Sequence, residues 1–358
     1  MINKIYIRHI YSVFISRFII ITLIFSSLIF VLNILEELKF FSSSDVGLIF
    51  PVMLTFLNLP SVLFEIFPFI ILITTQFFFI KFQENHELLI FKNNGINNLK
   101  IIGHLTLLVF LIGIIIISLF HFISSNMKHI YIEFKNEYSE DKKYLAVINE
   151  NGLWIKDKFR NKIFIIHSEE IEKNILKNLV ITKYNSDFTN ETNIIAESAN
   201  INSKVWKIND AFVIDTEGKK EKFSSFELET NFDYLKIYSL FSNLESLNIF
   251  ELIKQKDDFK NVGLSVSDIE IHLNKILSLP ISLVIFLLLA SVLMFNIRFK
   301  KSMTFMIIVG ILLSVIIYYI YYFFGLLGAN NKVPILMAIW LPNLVLFLGC
   351  LVGVVNIN

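Results

Sequence analysis

Residues that could carry out catalysis are few in this chain and are not arranged for it. The segment from His86 to Ile90 (H-E-L-L-I) begins like the zinc-protease motif H-E-x-x-H, but Ile90 stands where the second zinc ligand belongs. The sequence contains no G-x-x-x-x-G-K-[ST] loop for ATP and no G-x-S-x-G nucleophile elbow. The single Cys350 excludes an internal disulfide and a cysteine-based metal cluster. We therefore expect no catalytic residue, no metal and no cofactor in this chain.

Three ionisable residues stand inside apolar segments: Glu65, His104 and His121. Charged side chains at membrane depth are functional candidates by default. Glu65, however, lies close to Pro60, and His104 lies near one end of its apolar segment. Structural or interfacial roles are therefore favoured for these residues.

The distribution of charge predicts the elements that position any site. The 358 residues are 55% hydrophobic and only 18% charged, against about 25% charged in a typical soluble domain. The net charge of +1 does not indicate a nucleic-acid partner. Six segments carry almost no charge, and each is long enough for a spanning helix of about 20 residues; they are Phe18–Leu35, Val46–Ile80, Ile101–Met127, Ile276–Ile297, Ser302–Asn331 and Val333–Asn358. We predict a membrane α-helical protein with six transmembrane helices, three before and three after an inserted domain.

The predicted domains are residues 1–127 with spans one to three, residues 128–265 as the insertion, and residues 266–358 with spans four to six. Basic residues in short loops set the orientation, because they are retained in the cytoplasm. An N-terminus inside places eight of them there: Lys4, Arg8, Lys81, Lys92, Lys100, Arg298, Lys300 and Lys301. The opposite loops hold only Lys39 and Lys332. Both termini are therefore predicted to be cytoplasmic and the insertion to lie on the other side.

The insertion changes from helical to alternating hydrophobic periodicity. Eight short segments rich in β-branched and aromatic residues are typical of strands; they are Tyr144–Ile148, Gly152–Lys156, Lys162–His167, Asn178–Tyr184, Asn193–Glu197, Lys204–Ile208, Ala211–Asp215 and Phe223–Leu228. Strands without crossover helices favour a sandwich, a jelly roll or an open barrel. The side chains predicted to face inward are Leu153, Ile155, Phe164, Ile166, Val205 and Phe212. They either fill a closed core or, in a partly open sheet, take an apolar ligand.

The loop between spans two and three, residues 82–95, is predicted to form a short helix at the membrane surface. Its acidic residues come first, Lys92 comes late, and Gly95 suits the C′ position. Leu88, Leu89 and Phe91 supply apolar side chains. The helix is either an ordinary interfacial loop helix or a docking helix that receives force from a cytoplasmic ATPase.

Several motifs, in the right order over nearly the whole chain, resemble the LptF/LptG-type permeases (YjgP/YjgQ family) of the lipopolysaccharide export ABC transporter. Glu87 to Gly95 is similar to the family's E-L-x-x-x-x-x-x-G coupling helix. Further similar segments are Leu59-Pro60 with Pro68, Gly152-Leu-Trp-Ile-Lys-Asp157, Glu270-Ile-His272 with Leu279-Pro280-Ile-Ser282, Phe324-Gly325, Pro334, and Leu341-Pro342. The Gly152–Asp157 segment is closer to the G-type subunit, and on it we lean towards LptG.

The resemblance implies a periplasmic jelly-roll-like insertion and a subunit in the bacterial inner membrane. It implies as partners a second LptF/LptG-type permease, a cytoplasmic LptB-like ATPase dimer that hydrolyses the ATP, LptC-like and LptA-like jelly-roll proteins, and lipopolysaccharide. Five residues of the loop are the expected ATPase-coupling residues: Glu84, Glu87, Leu88, Phe91 and Gly95. Lys39, Phe164, Ile166 and Phe212 are the expected substrate contacts. The family's basic cluster at the outer end of span one is reduced here to Lys39, beside Glu36 and Glu37.

Two other classes of protein compete with this interpretation. A mechanotransmission subunit of the FtsX or MacB type moves no lipid, but such proteins have four spans and place the outer domain after the first. A membrane sensor or intramembrane enzyme would need a cytoplasmic signalling domain or a polar constellation in its spans. The sequence favours neither.

Overall fold

The computed structural model describes residues 2–43, 46–137, 145–149, 152–159, 162–172, 174–185, 189–215, 218–234, 237, 243–261, 265–296, 303–330, 332–355 and 357. The chain divides into two compact units. One comprises Met1–Tyr131 with Glu270–Asn358, and the other comprises Ile132–Ile269. Some predicted positions lie outside the described residues: Tyr144 of the first predicted strand, the span ends Ile297, Ser302, Asn331 and Asn358, and the loop residues Arg298, Lys300 and Lys301.

The helices of the first four spans run longer than the uncharged segments that predict them, whereas those of the last two spans are shorter. They are α1 (Ile2–Phe40), α2 (Ile49–Glu84), α3 (Glu87–Asn93), α4 (Asn98–Ile115), α5 (His121–Glu137), α6 (Ile249–Asn261), α7 (Ser267–Asn296), α8 (Met303–Ala329) and α9 (Ile335–Val355). A single π-helical turn joins α4 to α5, so that the two form one span. Six stretches are long and apolar enough to cross a membrane, which confirms the predicted six spans.

Helix α7 is the most enclosed span of the membrane unit. In its most apolar stretch 72% of the residues are buried, whereas in α1 only 11% are. Close contact with α4 depends on Gly113, where a Cβ atom would come within 2.7 Å of Pro280 Cα. Small residues allow membrane helices to approach closely without a hydrophobic driving force. Because so little of α1 is buried, its exposed sides are available to lipid or to another subunit.

The second unit contains a seven-stranded antiparallel sheet whose strands follow one another in chain order. The strands are β1 (Leu145–Asn149), β2 (Gly152–Phe159), β3 (Lys162–Glu172), β4 (Ile175–Tyr184), β5 (Asn190–Asn200), β6 (Val205–Asp215) and β7 (Lys220–Glu229). The predicted all-β insertion is confirmed, and its order is that of a meander. Two predicted strands, Lys204–Ile208 and Ala211–Asp215, are halves of β6. Asn209 and Asp210, which suggest a turn in the sequence, instead lie inside that strand.

The strand pairing is interrupted along one row of residues that crosses the sheet, which we call the crease. Three of them have positive φ: Gly152 (115°), Asn178 (50°) and Asp210 (47°). Asn and Asp tolerate this conformation better than other residues with a side chain. The ladders from β3 to β7 each omit one residue pair at this row. Consequently the inward-facing residues on either side of the crease are three positions apart, as Ile208 and Ala211 are.

The inner face of the sheet carries most of the predicted core. Leu153, Ile155, Phe164 and Ile166 are all buried within one hydrophobic cluster, as predicted. The prediction was wrong for Val205 and Phe212, which lie on the outer face and are each 43% exposed. Trp206 faces inward instead of its neighbour Val205. Residues two apart in a strand share a face, so an inward Val205 would also bury Lys207. Ala211 faces inward instead of its neighbour Phe212, because the crease at Asp210 shifts the alternation of inward and outward side chains by one residue.

The chain that follows β7 returns to β2 and β6. Asp157 is fully buried and accepts two hydrogen bonds from Asn231, at 2.9 Å from the backbone N and at 2.8 Å from Nδ2. The indole N–H of Trp206 donates to the carbonyl of Phe232 at 2.7 Å. These contacts join strands that lie far apart in the strand order. The sheet is therefore curled, and its inner face is covered by its own side chains together with Phe232 and Ile237 from the chain that follows β7.

Helix α6 begins with a capping box, in which side chains satisfy the free amides of the first turn. Asn248 Oδ1 accepts from the backbone N–H groups of Phe250 and Glu251 at 3.0 and 3.1 Å. Glu251 Oε2 accepts in return from the backbone N of Asn248 at 2.9 Å. These bonds fix the start of the helix, which runs on to Asn261.

Candidate coupling site

Helix α3 is a separate seven-residue helix in the loop between the second and third spans. The predicted loop helix over 82–95 is shorter than expected, because α2 continues to Glu84. His86 has a φ of 58° and forms the corner between the two helices. Gly95 has a φ of 77° and donates to the carbonyl of Lys92, while Ile96 donates to that of Phe91. These paired bonds form a Schellman motif, which confirms Gly95 as the C′ residue.

Glu87 is held by hydrogen bonds to both of its carboxylate oxygens. His9 Nε2 of α1 donates to Oε2 at 2.8 Å, and Asn85 Nδ2 donates to Oε1 at 2.9 Å. The Glu87 side chain is only 18% exposed, whereas that of His9 is 48% exposed. The carboxylate is thus already engaged within its own chain, at the junction of α1, α2 and α3.

The apolar residues of α3 fall on two faces. Leu88 and Phe91 pack against the core of the membrane unit. Leu89 and Ile90 point away and are 60% and 54% exposed. The exposed pair is open to a partner, and Glu84 at the end of α2 is exposed as well. Neither Leu89 nor Ile90 was among the predicted coupling residues, although their adjacent apolar side chains were the available signal.

Aromatic side chains pack α3 against the first two helices. The rings of Tyr6 and Phe91 meet edge to face at 6.2 Å, and those of Phe82 and Phe91 lie 5.7 Å apart. Tyr6 Oη and His104 Nε2 are hydrogen-bonded at 3.2 Å, which ties the same turn of α1 to the start of α4. The sequence interpretation missed both Tyr6 and His9, since nothing in the linear order relates them to residue 87.

The predicted substrate contact Lys39 lies in the last turn of α1 and is exposed. His9 and Lys39 are separated by roughly 45 Å of helix, at 1.5 Å per residue. Near Lys39 the structure contains a polar cluster of four residues. Tyr131 Oη donates to the buried Glu37 Oε1 at 2.7 Å, and Lys128 Nζ donates to Asn58 Oδ1 at 2.8 Å. Lys128 was missed, although it is the first charged residue after an uncharged span.

The other two ionisable residues of the spans, His121 and Glu65, lie in different surroundings. The ring of the buried His121 meets Phe64 edge to face at 4.9 Å. Glu65 is exposed on α2. Among the described residues no group of three or more His, Cys, Asp or Glu side chains could hold a metal ion.

The predicted contacts in the β unit separate into two sets. Phe164 and Ile166 lie together in the inner core, with exposures of 5% and 0%. Phe212 lies on the opposite face, where Lys222 Nζ stands 5.6 Å from the centre of its ring. The sheet therefore brings only two of the three predicted apolar contacts to its interior.

These features define a class of protein: a multi-pass membrane subunit with a partner-accessible surface helix between spans two and three and a β unit between spans three and four. Residues 8–355 match the family described as lipopolysaccharide export system permease LptF/LptG, and the chain belongs to this family. No curated protein matches the chain. The family and the six apolar helices fit a multi-pass protein of the inner membrane that serves as a lipopolysaccharide export permease within a complex of several subunits.

Proposed function

We propose that this chain is one of two permease subunits that extract lipopolysaccharide from the inner membrane and pass it to a periplasmic β-jelly-roll bridge. A separate, LptB-like cytoplasmic ATPase dimer supplies the energy, and the chain itself is not an enzyme. The second permease belongs to the same family, and LptC-like and LptA-like proteins continue the bridge. The observation that carries the proposal is the geometry of α3, with one face packed on the spans and Leu89 and Ile90 exposed on the other.

External energy is required by the chemistry of the substrate. Moving an acyl chain out of the bilayer costs about 0.8 kcal/mol for each CH₂ that loses its apolar surroundings. A transport route must therefore shield the acyl chains from water and must be supplied with energy. In the proposed route Lys39 meets a lipid phosphate, and the interior around Phe164 and Ile166 receives acyl chains once the curled sheet opens. Phe212 has no part in this interior, because it lies on the outer face.

The proposed orientation places both termini and α3 in the cytoplasm and the β unit in the periplasm. The asymmetry of basic residues in the short loops supports it. Reporter fusions after residues 90 and 180 should be active in the cytoplasm and the periplasm, respectively. The reversed pattern would contradict the coupling proposal, because α3 would then have no access to ATP.

The coupling role is tested by placing charge on the exposed face of α3. The variant with Leu89→Glu and Ile90→Glu should lose copurification with the ATPase, because an apolar contact would then bury two carboxylates. The control variant with Leu89→Met and Ile90→Met keeps the same two positions apolar and should retain the ATPase. An unchanged yield of ATPase with the double variant would refute the coupling role of α3.

The transport role is tested by identifying the bound lipid. The chain is coexpressed with a second permease of the family and the ATPase, and the purified complex is analysed by mass spectrometry. We expect a lipopolysaccharide-type glycolipid to copurify. A mechanotransmission subunit would instead yield the ATPase without such a lipid.

A further inference from the structure

We propose that His9 is a positioning residue that holds Glu87 and transmits the movement of α3 to the first span. The inference depends on the proposed coupling function and adds a specific path to it. A force applied to α3 reaches α1 through His9 and Tyr6, and not only through the chain connections to α2 and α4.

The first observation is that His9 provides a direct link from α1 to Glu87. The 2.8 Å bond from His9 Nε2 is one of two to the carboxylate, and Asn85 supplies the other from the residue that ends α2. A hydrogen bond to an ionised group is shorter and stronger than one between neutral groups. Glu87 therefore follows the end of α2 and α1 together.

The second observation is that Tyr6 makes a parallel contact one turn earlier. Tyr6 and His9 are three residues apart, so both side chains project from one face of α1. Tyr6 meets the ring of Phe91, and His9 lies over the ring of Phe82 at 5.9 Å. Phe82 in turn meets Phe91. The same face of α1 thus touches both α3 and the last turn of α2.

The third observation is that His9 is not required for the fold. Its side chain is nearly half exposed, and ion pairs in exposed positions contribute little to stability. The core beneath it is formed by the fully buried Phe82 and Phe78. Removal of the imidazole should consequently leave the protein folded while removing the link to Glu87.

The test uses the full complex in lipid nanodiscs or proteoliposomes, with His9→Ala, His9→Gln and the control Arg8→Ala. Arg8 is the exposed neighbour of His9 on the same helix. His9→Ala should bind the ATPase and hydrolyse ATP as the wild type does. It should transfer about two- to fivefold less lipid per ATP, since loss of a partly exposed pair of this kind shifts an equilibrium by a factor of that size. His9→Gln should recover much of the transfer, because its amide donates to the carboxylate.

The outcomes separate this inference from the proposed function. Normal transfer by His9→Ala would overturn the inference alone, and so would equal loss in His9→Ala and His9→Gln, which would indicate a packing role. An equal loss of transfer in Arg8→Ala would also overturn it, because the effect would then belong to the whole segment. A wild-type chain that fails to bind the ATPase would overturn the proposed function, and this inference with it.

Discussion

Asp157 and Glu87 are acidic residues in two of the segments that carry the family resemblance, and the structure uses them in opposite ways. Asp157 ends the Gly152–Asp157 segment, is fully buried, and accepts two hydrogen bonds from Asn231. Glu87 begins the coupling segment, stays partly exposed, and is bound by His9 and Asn85 from neighbouring helices. The first joins distant parts of one sheet, whereas the second joins the ends of helices beside an exposed surface.

This difference indicates an architectural role for the acidic residue of one motif, whereas the role proposed for the other is to couple α3 to its neighbouring helices. A carboxylate is costly to bury without hydrogen-bonding partners, so the two bonds between Asn231 and the buried Asp157 contribute to the stability of the β unit. The bonds of Glu87 are replaceable by water, so they contribute little to stability and leave the contact free to rearrange. Substitutions in the two regions should therefore differ in their effect on unfolding.

The largest expected effect is that of Gly152→Ala in the sheet. A Cβ atom at this position would lie 2.2 Å from the Ser168 carbonyl oxygen, and the φ of 115° is strained for any residue with a side chain. We expect a loss of about 3 kcal/mol or more, as for strain combined with overpacking. Thermal unfolding and limited proteolysis of the β unit would measure it.

Gly218→Ala is the matched control for that substitution. Gly218 has a φ of 81°, but a Cβ atom there would meet nothing within 4 Å. Only the conformational strain remains, which costs about 1–2 kcal/mol. Equal effects of the two substitutions would show that the contact with Ser168 is unimportant, and Gly152 would then lose its architectural role.

The second prediction compares the two carboxylates directly. Asp157→Ala should cost about 2–3 kcal/mol of stability, because a buried acceptor for two donors is removed. Glu87→Ala should cost about 1 kcal/mol, because Glu87 is partly exposed and its partner His9 is nearly half exposed, so water can replace much of their bonding. Unfolding of both variants in the same detergent, followed by fluorescence and by proteolysis, provides the comparison. A larger loss in Glu87→Ala would reverse the assignment of the two motifs.

The six spans could be predicted from the sequence, because a run of about 20 apolar residues without charge is typical of a helix that crosses a bilayer. Gly95 was also predictable, since glycine suits the left-handed residue that ends a helix. Both signals are local: they depend on composition and on one residue's conformational freedom.

The faces of β6 and the partner of Glu87 were not predictable in the same way. Phe212 was assigned to the wrong face because Asp210 creases the strand, and a positive φ at Asp leaves no distinct mark in the sequence. His9 lies 78 positions from Glu87. Contacts of that kind depend on how the helices pack, which alternating or helical periodicity does not determine.

The smallest expected effect concerns Glu191, a partly exposed carboxylate of the β unit. It tests whether the cost of losing a carboxylate depends on its burial or on its place in the sheet. Lys183 and Lys162 donate to it at 3.2 and 3.3 Å, and these hydrogen bonds lower the pKa of Glu191 below its ordinary value of 4.5. A carboxyl group with a lowered pKa in the folded state stabilises the protein above the ordinary value, and this contribution disappears as the pH falls through the lowered pKa. Glu191→Gln should therefore destabilise the β unit slightly at neutral pH and not at all in strong acid, and added salt should reduce the difference. The measurement is unfolding at several pH values. If Glu191→Gln lost as much stability as Asp157→Ala, the stability lost in Asp157→Ala would be explained by the location of Asp157 in the sheet and not by its burial.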